Sequence, residues 1–376
     1  MRRSFIFSSN SIRLSWKSWI VVIAILTGIV YLLPKLWRGL EKFDPSTDEL
    51  AARSTDYRLP YSLSNDYWMF TRWSRYACSE YPILIIGDSV VWGQYVTMEQ
   101  TLSHYLNERA GGNIFANMGV DGIHQAAMLG LVKYYGKAIS NKRVILHLNP
   151  LWMSSKKHDL SDEEEFRFNH PRLVPQFIRK PACYRPSLAQ RAGVVAERNI
   201  SFFSWVSHVR TNYFENMDLQ NWTIQNPYRN PLEAITLEVP IPENRPKSKP
   251  VTWAERGMIK QDFPWVQVVE SFQWNSFKKL IEILKATDNE VFVILGPFNP
   301  YVLTEESLSR YNDVKSKMEE WLEGEGVSYR SLSDLPSEYY ADASHPLKEG
   351  YAKIAEELFE IESFRKWIRK ETAAWK

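Results

Sequence analysis

Cysteine is nearly absent from this chain: two residues in 376, Cys78 and Cys183. Their separation fits no zinc or redox spacing, which excludes thiolate metal sites and dithiol exchange as the working chemistry. Two readings of the pair stay open, a disulfide if the domain lies outside the cytoplasm and two buried thiols otherwise. No cluster of His, Cys, Asp or Glu has metal-ligand spacing, so no metal is expected and no cofactor is called for. A glycine-rich phosphate cradle is missing. An excess of either charge is missing too: 46 Lys and Arg face 44 Asp and Glu, for a net charge of +2. That balance points away from a nucleic-acid partner. The acidic run Asp162–Glu165 reads as a solvated face and not as a catalytic carboxylate pair.

Aromatic residues are plentiful, at 14% with 15 Trp. They suit either stacking on sugar faces or packing in a core and at a membrane interface. The single long apolar run is Ser18 to Leu33, 16 residues broken only by Ser18 and Thr27 and ending at Pro34. It is slightly short of the ~20 residues of a spanning helix. Trp16, Trp19, Tyr31 and Trp37 extend it as interfacial anchors. Arg2, Arg3, Arg13 and Lys17 precede it without an acidic residue, whereas Lys35, Arg38 and Lys42 beyond it are offset by Glu41 and Asp44. This bias predicts a cytoplasmic N-terminus over 1–17 and a membrane anchor over 18–37. The rest of the chain then lies in the periplasm or outside the cell. A cleaved signal peptide is the rival, but no small-x-small cleavage site follows the run.

Residues 38–80 are polar and aromatic and read as a stalk and lead-in to a domain over 81–376. Five β-rich apolar runs follow, at Pro82–Ile86, Asn113–Val120, Arg143–Leu148, Glu290–Leu295 and, more weakly, Val327–Leu332. Helical spacing of apolar residues marks Met98–Arg109, Ile123–Lys137, Val268–Ala286, Glu305–Leu322 and Leu347–Trp367. Alternating strands and helices predict an α/β fold: three layers, α/β/α, around a mostly parallel five-stranded sheet of flavodoxin-like type. The stretch 153–265 interrupts the alternation. Its prolines (Pro171, Pro175, Pro181, Pro186) and the basic, proline-rich Pro240–Pro250 mark a large insertion after the third strand. It either shapes access to the active edge or simply covers the sheet.

In a parallel sheet, sites form at the carboxyl ends of the strands. There stand Ser89 after the first, Gly119 closing the second, Asn149 after the third, Asn299 after the fourth, and Asp342 and His345 after the fifth. A serine hydroxyl needs a base to become a nucleophile. His345 is the candidate base and Asp342 the group that orients it. Candidate oxyanion donors are the backbone N–H of Ser89, the backbone N–H of Gly119 and the side-chain amide of Asn149. Gly119 suits close approach of the backbone to a reacting oxygen. Asp88 reads as an organiser of its loop. His124, His147 and Asn299 are candidate substrate contacts, each with a packing role as the alternative.

Gly87-Asp88-Ser89, Asn117-Met118-Gly119, Asn149 and Asp342-Ala343-Ser344-His345 stand in the order and spacing of four blocks. Over about residues 80–360 the chain thereby resembles the SGNH (GDSL-type) hydrolase superfamily. The third block departs from the usual Gly-x-Asn-Asp, reading His147-Leu148-Asn149-Pro150. The resemblance implies a serine-dependent acyl hydrolase or O-acyltransferase with Ser89, Asp342 and His345 as its triad. With the anchor, it implies similarity to members that modify cell-envelope polysaccharides or other polymers at the plasma or inner membrane, often beside a multi-pass membrane O-acyltransferase. The expected partners are an acyl donor, an envelope polymer and the membrane. A non-catalytic polymer-binding or assembly protein that keeps the fold is the alternative.

Overall fold

A computed structural model describes residues 15–43, 45 and 57–369. The expected cytoplasmic segment 1–17 lies outside these apart from its last three residues, as does the middle of the 38–80 stretch. Helix α1 (Trp16–Leu40) is 25 residues long, roughly 37 Å. It is long and apolar enough to cross a membrane. It outruns the expected 18–37 at both ends. Ser15 caps it by accepting from the Ser18 N–H, and Pro34 is carried inside the helix.

The lead-in reading of 38–80 needs correction. Asp66 caps a second helix, α2 (Tyr67–Glu80), by accepting from the Met69 N–H. This helix buries Tyr67, Trp68, Met69, Phe70, Trp73 and Ala77 in the main core. The Trp73 indole N–H donates to the Asn117 carbonyl at 3.0 Å. The domain therefore begins before residue 81. Its dense aromatics hid the helical period that an aliphatic stripe would have shown.

The chain continues through β1 (Ile83–Gly87), the one-turn helix α3 (Ser89–Trp92), α4 (Leu102–Ala110), β2 (Phe115–Gly119), α5 (Gln125–Tyr135) and β3 (Arg143–Leu148). A run of helices follows: α6 (Lys156–Asp159), α7 (Leu188–Asn199), α8 (Ser201–Tyr213), α9 (Leu219–Gln225) and α10 (Pro231–Ala234). The alternation then resumes with α11 (Phe272–Lys285), β4 (Glu290–Leu295), α12 (Glu305–Gly324) and β5 (Ser328–Ser331). The expected single tail helix is two, α13 (Lys348–Glu360) and α14 (Glu362–Arg369), because Ile361 takes an extended conformation between them. The bend lets Phe364 and Trp367 reach Phe292 of the sheet, at 5.2 and 5.4 Å between rings.

All five strands are parallel, in the order β2-β1-β3-β4-β5. Period-two alternation divides their side chains between two cores. Leu84, Ile86, Val144, Leu146, Val291 and Val293 face the layer of α2, α5, α11 and α12. Ile83, Ile85, Phe115, Ile145, Phe292 and Ile294 face that of α4, α13 and α14. Strand order reverses at β1, so a crevice opens at the carboxyl ends of β1 and β3.

The long segment between β3 and α11 does two things. Its later part runs along the carboxyl edge of the sheet: the Val266 N–H donates to the Met153 carbonyl, and the Trp253 N–H to that of Tyr340. Its helical part gathers at the end of α1. There His208 of α8 sits between Glu41 and Asp66, at 2.7 and 2.6 Å, fully buried. Burial opposes a charge on this imidazole, but the two carboxylates outweigh it and raise its pKa to about 9. Cys78 and Cys183 are both free thiols.

Candidate active site

Ser89 is the first residue of α3. Asp88 caps that turn through its Oδ1, which accepts from the Val90 N–H at 3.0 Å. The turn folds back tightly over the strand ends, and two glycines permit it. A Cβ on Gly87 would lie 2.2 Å from Val91 Cγ2, and one on Gly119 would lie 2.3 Å from the Trp92 backbone nitrogen. Gly119 is thus required by packing against α3.

The structure brings Ser89, His345 and Asp342 together across 256 residues of chain. His345 Nε2 lies 2.7 Å from Ser89 Oγ. His345 Nδ1 lies 2.8 and 2.9 Å from the two oxygens of Asp342. An ionised carboxylate only accepts, so Nδ1 carries the proton and Nε2 is left to accept from the Ser89 hydroxyl. Asp342 Oδ1 also accepts from the backbone N–H groups of Ser344 and His345, both at 3.0 Å. That local turn explains the two-residue gap between Asp and His. It aims the carboxylate at the ring two bonds beyond the backbone it caps.

The charges are matched to these contacts. Burial works against an ionised Asp342, but His345 and the two N–H donors hold its carboxyl well below the usual range. Burial alone would lower His345; Asp342, with smaller help from Asp88 and Asp121, raises it above its ordinary value. Asp88 is held at about 2: burial opposes this, and His147, His345 and the Trp152 indole outweigh it. Both Ser89 and His345 are under a tenth exposed, so their contact is largely closed to water.

Among the expected oxyanion donors, only Ser89 N–H is unspent. As the first residue of α3 it has no carbonyl one turn back to bond. Gly119 N–H already donates to Asn117 Oδ1 at 3.0 Å. Asn149 Nδ2 donates to Asp88 Oδ2 at 2.8 Å and to Ser344 Oγ at 3.3 Å, while its Oδ1 accepts from the Leu151 N–H. Asn149 would have to release Ser344, its longer contact, to reach a developing oxyanion.

The expected substrate contacts fall inside the protein instead. His124 caps α5: its Nδ1 accepts from the Ala127 N–H, and its Nε2 bonds the Asn169 carbonyl at 3.2 Å. Burial, with a smaller push from His170, lowers its pKa to about 3, so it stays neutral. His147 Nε2 donates to the Gly296 carbonyl at 2.9 Å, and its Nδ1 faces Asp88 at 3.3 Å. Asn299 is fully buried and holds the Asp342 loop. Its Nδ2 donates to the Asp342 carbonyl at 3.0 Å and its backbone N–H to that of Ala343 at 2.8 Å.

Two residues at the site were not foreseen. The Tyr95 hydroxyl donates to Asp342 Oδ2 at 3.0 Å, and its ring stands edge-on to His345 at 5.3 Å. Burial, then the Asp342 charge, raises its pKa to about 12, so it remains a donor. Trp152 Nε1 donates to Asp88 Oδ2 at 3.0 Å. Trp152 lies two residues beyond the departing third block, His147-Leu148-Asn149-Pro150, which was a signal; Tyr95 lies in no local pattern that could have marked it. Among the described residues no group of His, Cys, Asp and Glu could hold a metal ion. No protein-family model matches the chain, and no curated protein matches it.

Proposed function

We propose that this protein is a serine-dependent acyl-transfer enzyme of SGNH type, anchored by α1 with its domain in the periplasm or outside the cell. The hydrogen-bond chain Ser89–His345–Asp342 carries the reading. Ser89 Oγ attacks the acyl carbonyl carbon as its proton passes to His345 Nε2. The tetrahedral oxyanion collapses, His345 returns the proton to the leaving oxygen, and the acyl group stays as an ester on Ser89. His345 then deprotonates an acceptor hydroxyl, which attacks that ester and frees the serine. A sugar hydroxyl as acceptor makes the enzyme an O-acyltransferase; water makes it an esterase. The anchor favours an envelope polysaccharide or polymer as acceptor, with a multi-pass membrane O-acyltransferase as the source of acyl groups.

One observation favours a second reading, a non-catalytic assembly or polymer-binding protein: the donors on Gly119 and Asn149 are already engaged. A fluorophosphonate probe and a chromogenic acetyl ester separate the two. The enzyme reading expects Ser89 to be labelled, the ester to turn over, and both to vanish in Ser89→Ala. No labelling, with turnover identical in the variant, would sink it. Envelope-glycan acylation in cells carrying Ser89→Ala then distinguishes transfer, where it drops, from hydrolysis, where it does not. A C-terminal reporter active only in the cytoplasm would overturn the topology.

A further inference from the structure

The end of α1 is built into the domain. Trp37 stands edge-on to Trp205 at 5.4 Å and to Tyr213 at 6.0 Å. One turn later, Glu41 accepts from His208 and from the Tyr213 hydroxyl. The backbone just beyond is stitched to the far side of the α8–α10 group, since the Lys42 N–H donates to the Leu237 carbonyl. These contacts order α8 along α1. His208 meets Glu41, and Trp205, three residues earlier, meets Trp37, four residues earlier. Lower numbers on α8 therefore lie beside lower numbers on α1. The first turn of α8, and the corner it makes with α7, point back toward the apolar part of α1.

That corner carries uncovered apolar side chains beside the exposed Asn199 and Ser201. Ile200, Phe203 and Val206 are 37, 45 and 42% exposed, at three-residue spacing on one stripe. On α7, Val195, about one turn before the corner, is exposed as well. Single exposed apolar residues mean little. Several on neighbouring turns beside the exit of a span have a partner at hand, the bilayer that α1 enters.

We propose that the α7–α8 corner seats in the lipid interface of the leaflet from which α1 emerges. The proposal rests on α1 spanning the membrane. Interfacial helices sink their apolar faces ~5–10 Å to the boundary between headgroups and acyl chains. Here Ile200 and Phe203, at the start of α8, fill that role, while Trp37 and Trp205 lie at headgroup level, where Trp is favoured. Two attachments, one spanning and one interfacial, leave the domain little freedom to tilt. The edge carrying Ser89 is then presented at a fixed height to a substrate near the membrane.

The test uses the full chain in phosphatidylcholine nanodiscs, with Cys78→Ser and Cys183→Ala removing the native thiols. An NBD fluorophore is attached in turn through Ile23→Cys on α1, Phe203→Cys at the corner, and Ser363→Cys on α14 in the opposite helix layer. Doxyl-labelled lipids and aqueous iodide serve as quenchers. The expected result is strong lipid quenching and blue-shifted emission at 23 and 203, with iodide quenching several-fold weaker there than at 363. Lipid quenching at 23 without any at 203 overturns the docking and leaves the span intact. Shielding of 203 from iodide without lipid quenching also overturns it, since a protein would then cover the corner. No lipid quenching at 23 removes the span and the docking together. Circular dichroism on each labelled variant confirms that its fold is kept.

Discussion

Replacing Asp342 by Asn separates a working triad from a packing coincidence. The two side chains are nearly the same size. An Asn Oδ1 can still accept from the backbone N–H groups of Ser344 and His345, so the turn survives. What changes is the second position. His345 Nδ1 is shared between the two Asp342 oxygens, at 2.8 Å from Oδ1 and 2.9 Å from Oδ2, and Oδ2 also accepts from the Tyr95 hydroxyl at 3.0 Å. An amide NH₂ there points a hydrogen at Nδ1, which favours the tautomer with the imidazole proton on Nε2, facing Ser89. The base is then blocked. Lost attraction between a carboxylate and an imidazolium at contact distance comes to about 4 kcal/mol at an effective dielectric of 20. That is roughly a thousandfold in rate, and the wrong tautomer brings the total toward ~10⁴-fold, the scale known for serine triads. The assay is turnover of a chromogenic acetyl ester by the full chain in detergent, with thermal unfolding followed by circular dichroism. We expect kcat to fall by that factor with the melting temperature nearly unchanged. A loss smaller than about tenfold in a folded variant would refute the roles assigned to Asp342 and His345.

The proposed mechanism needs neutral His345, whose pKa lies above the ordinary imidazole value. The acid limb of kcat/KM should therefore sit above pH ~6.5, with activity lost as pH falls through it; a limb below that value counts against His345 as the base. In Gly119→Ala the new methyl would meet the Trp92 nitrogen at 2.3 Å, so denaturant titration should show a loss of about 1–3 kcal/mol or more. His208 has a folded pKa of about 9 against 6.5 for the free group. A raised value stabilises fully below the unfolded pKa and is lost as pH rises through the folded one. Stability measured by denaturant should thus decline by about 3 kcal/mol between pH 6.5 and 9, and His208→Gln should flatten that slope. Asn299→Ala removes the Nδ2 bond to the Asp342 carbonyl and should cost about 1–3 kcal/mol, with slower ester turnover as the loop loosens.

Helix and strand periods, and a sheet edge collecting polar residues, are local properties of the chain. They were legible because burial in a parallel sheet demands unbroken β-branched runs and the covering helices demand apolar stripes. Hence Arg143–Leu148 and Glu290–Leu295 lie where their residues place them, and Ser89, Asp342 and His345 stand at strand ends by sequence alone. Which hydrogen bonds those side chains make is not local. Asn149 and Gly119 looked like open donors, yet their N–H groups are satisfied by Asp88, Ser344 and Asn117. His124 and Asn299 looked like substrate contacts, yet they cap and brace the scaffold. Tyr95 reaches Asp342 across 247 residues. Residue type and spacing determined which groups stand at the active edge, because strand direction and connectivity follow from them. Only the tertiary structure decided which of those groups are free to act, because a buried polar atom takes whatever partner the packed fold puts within 3 Å.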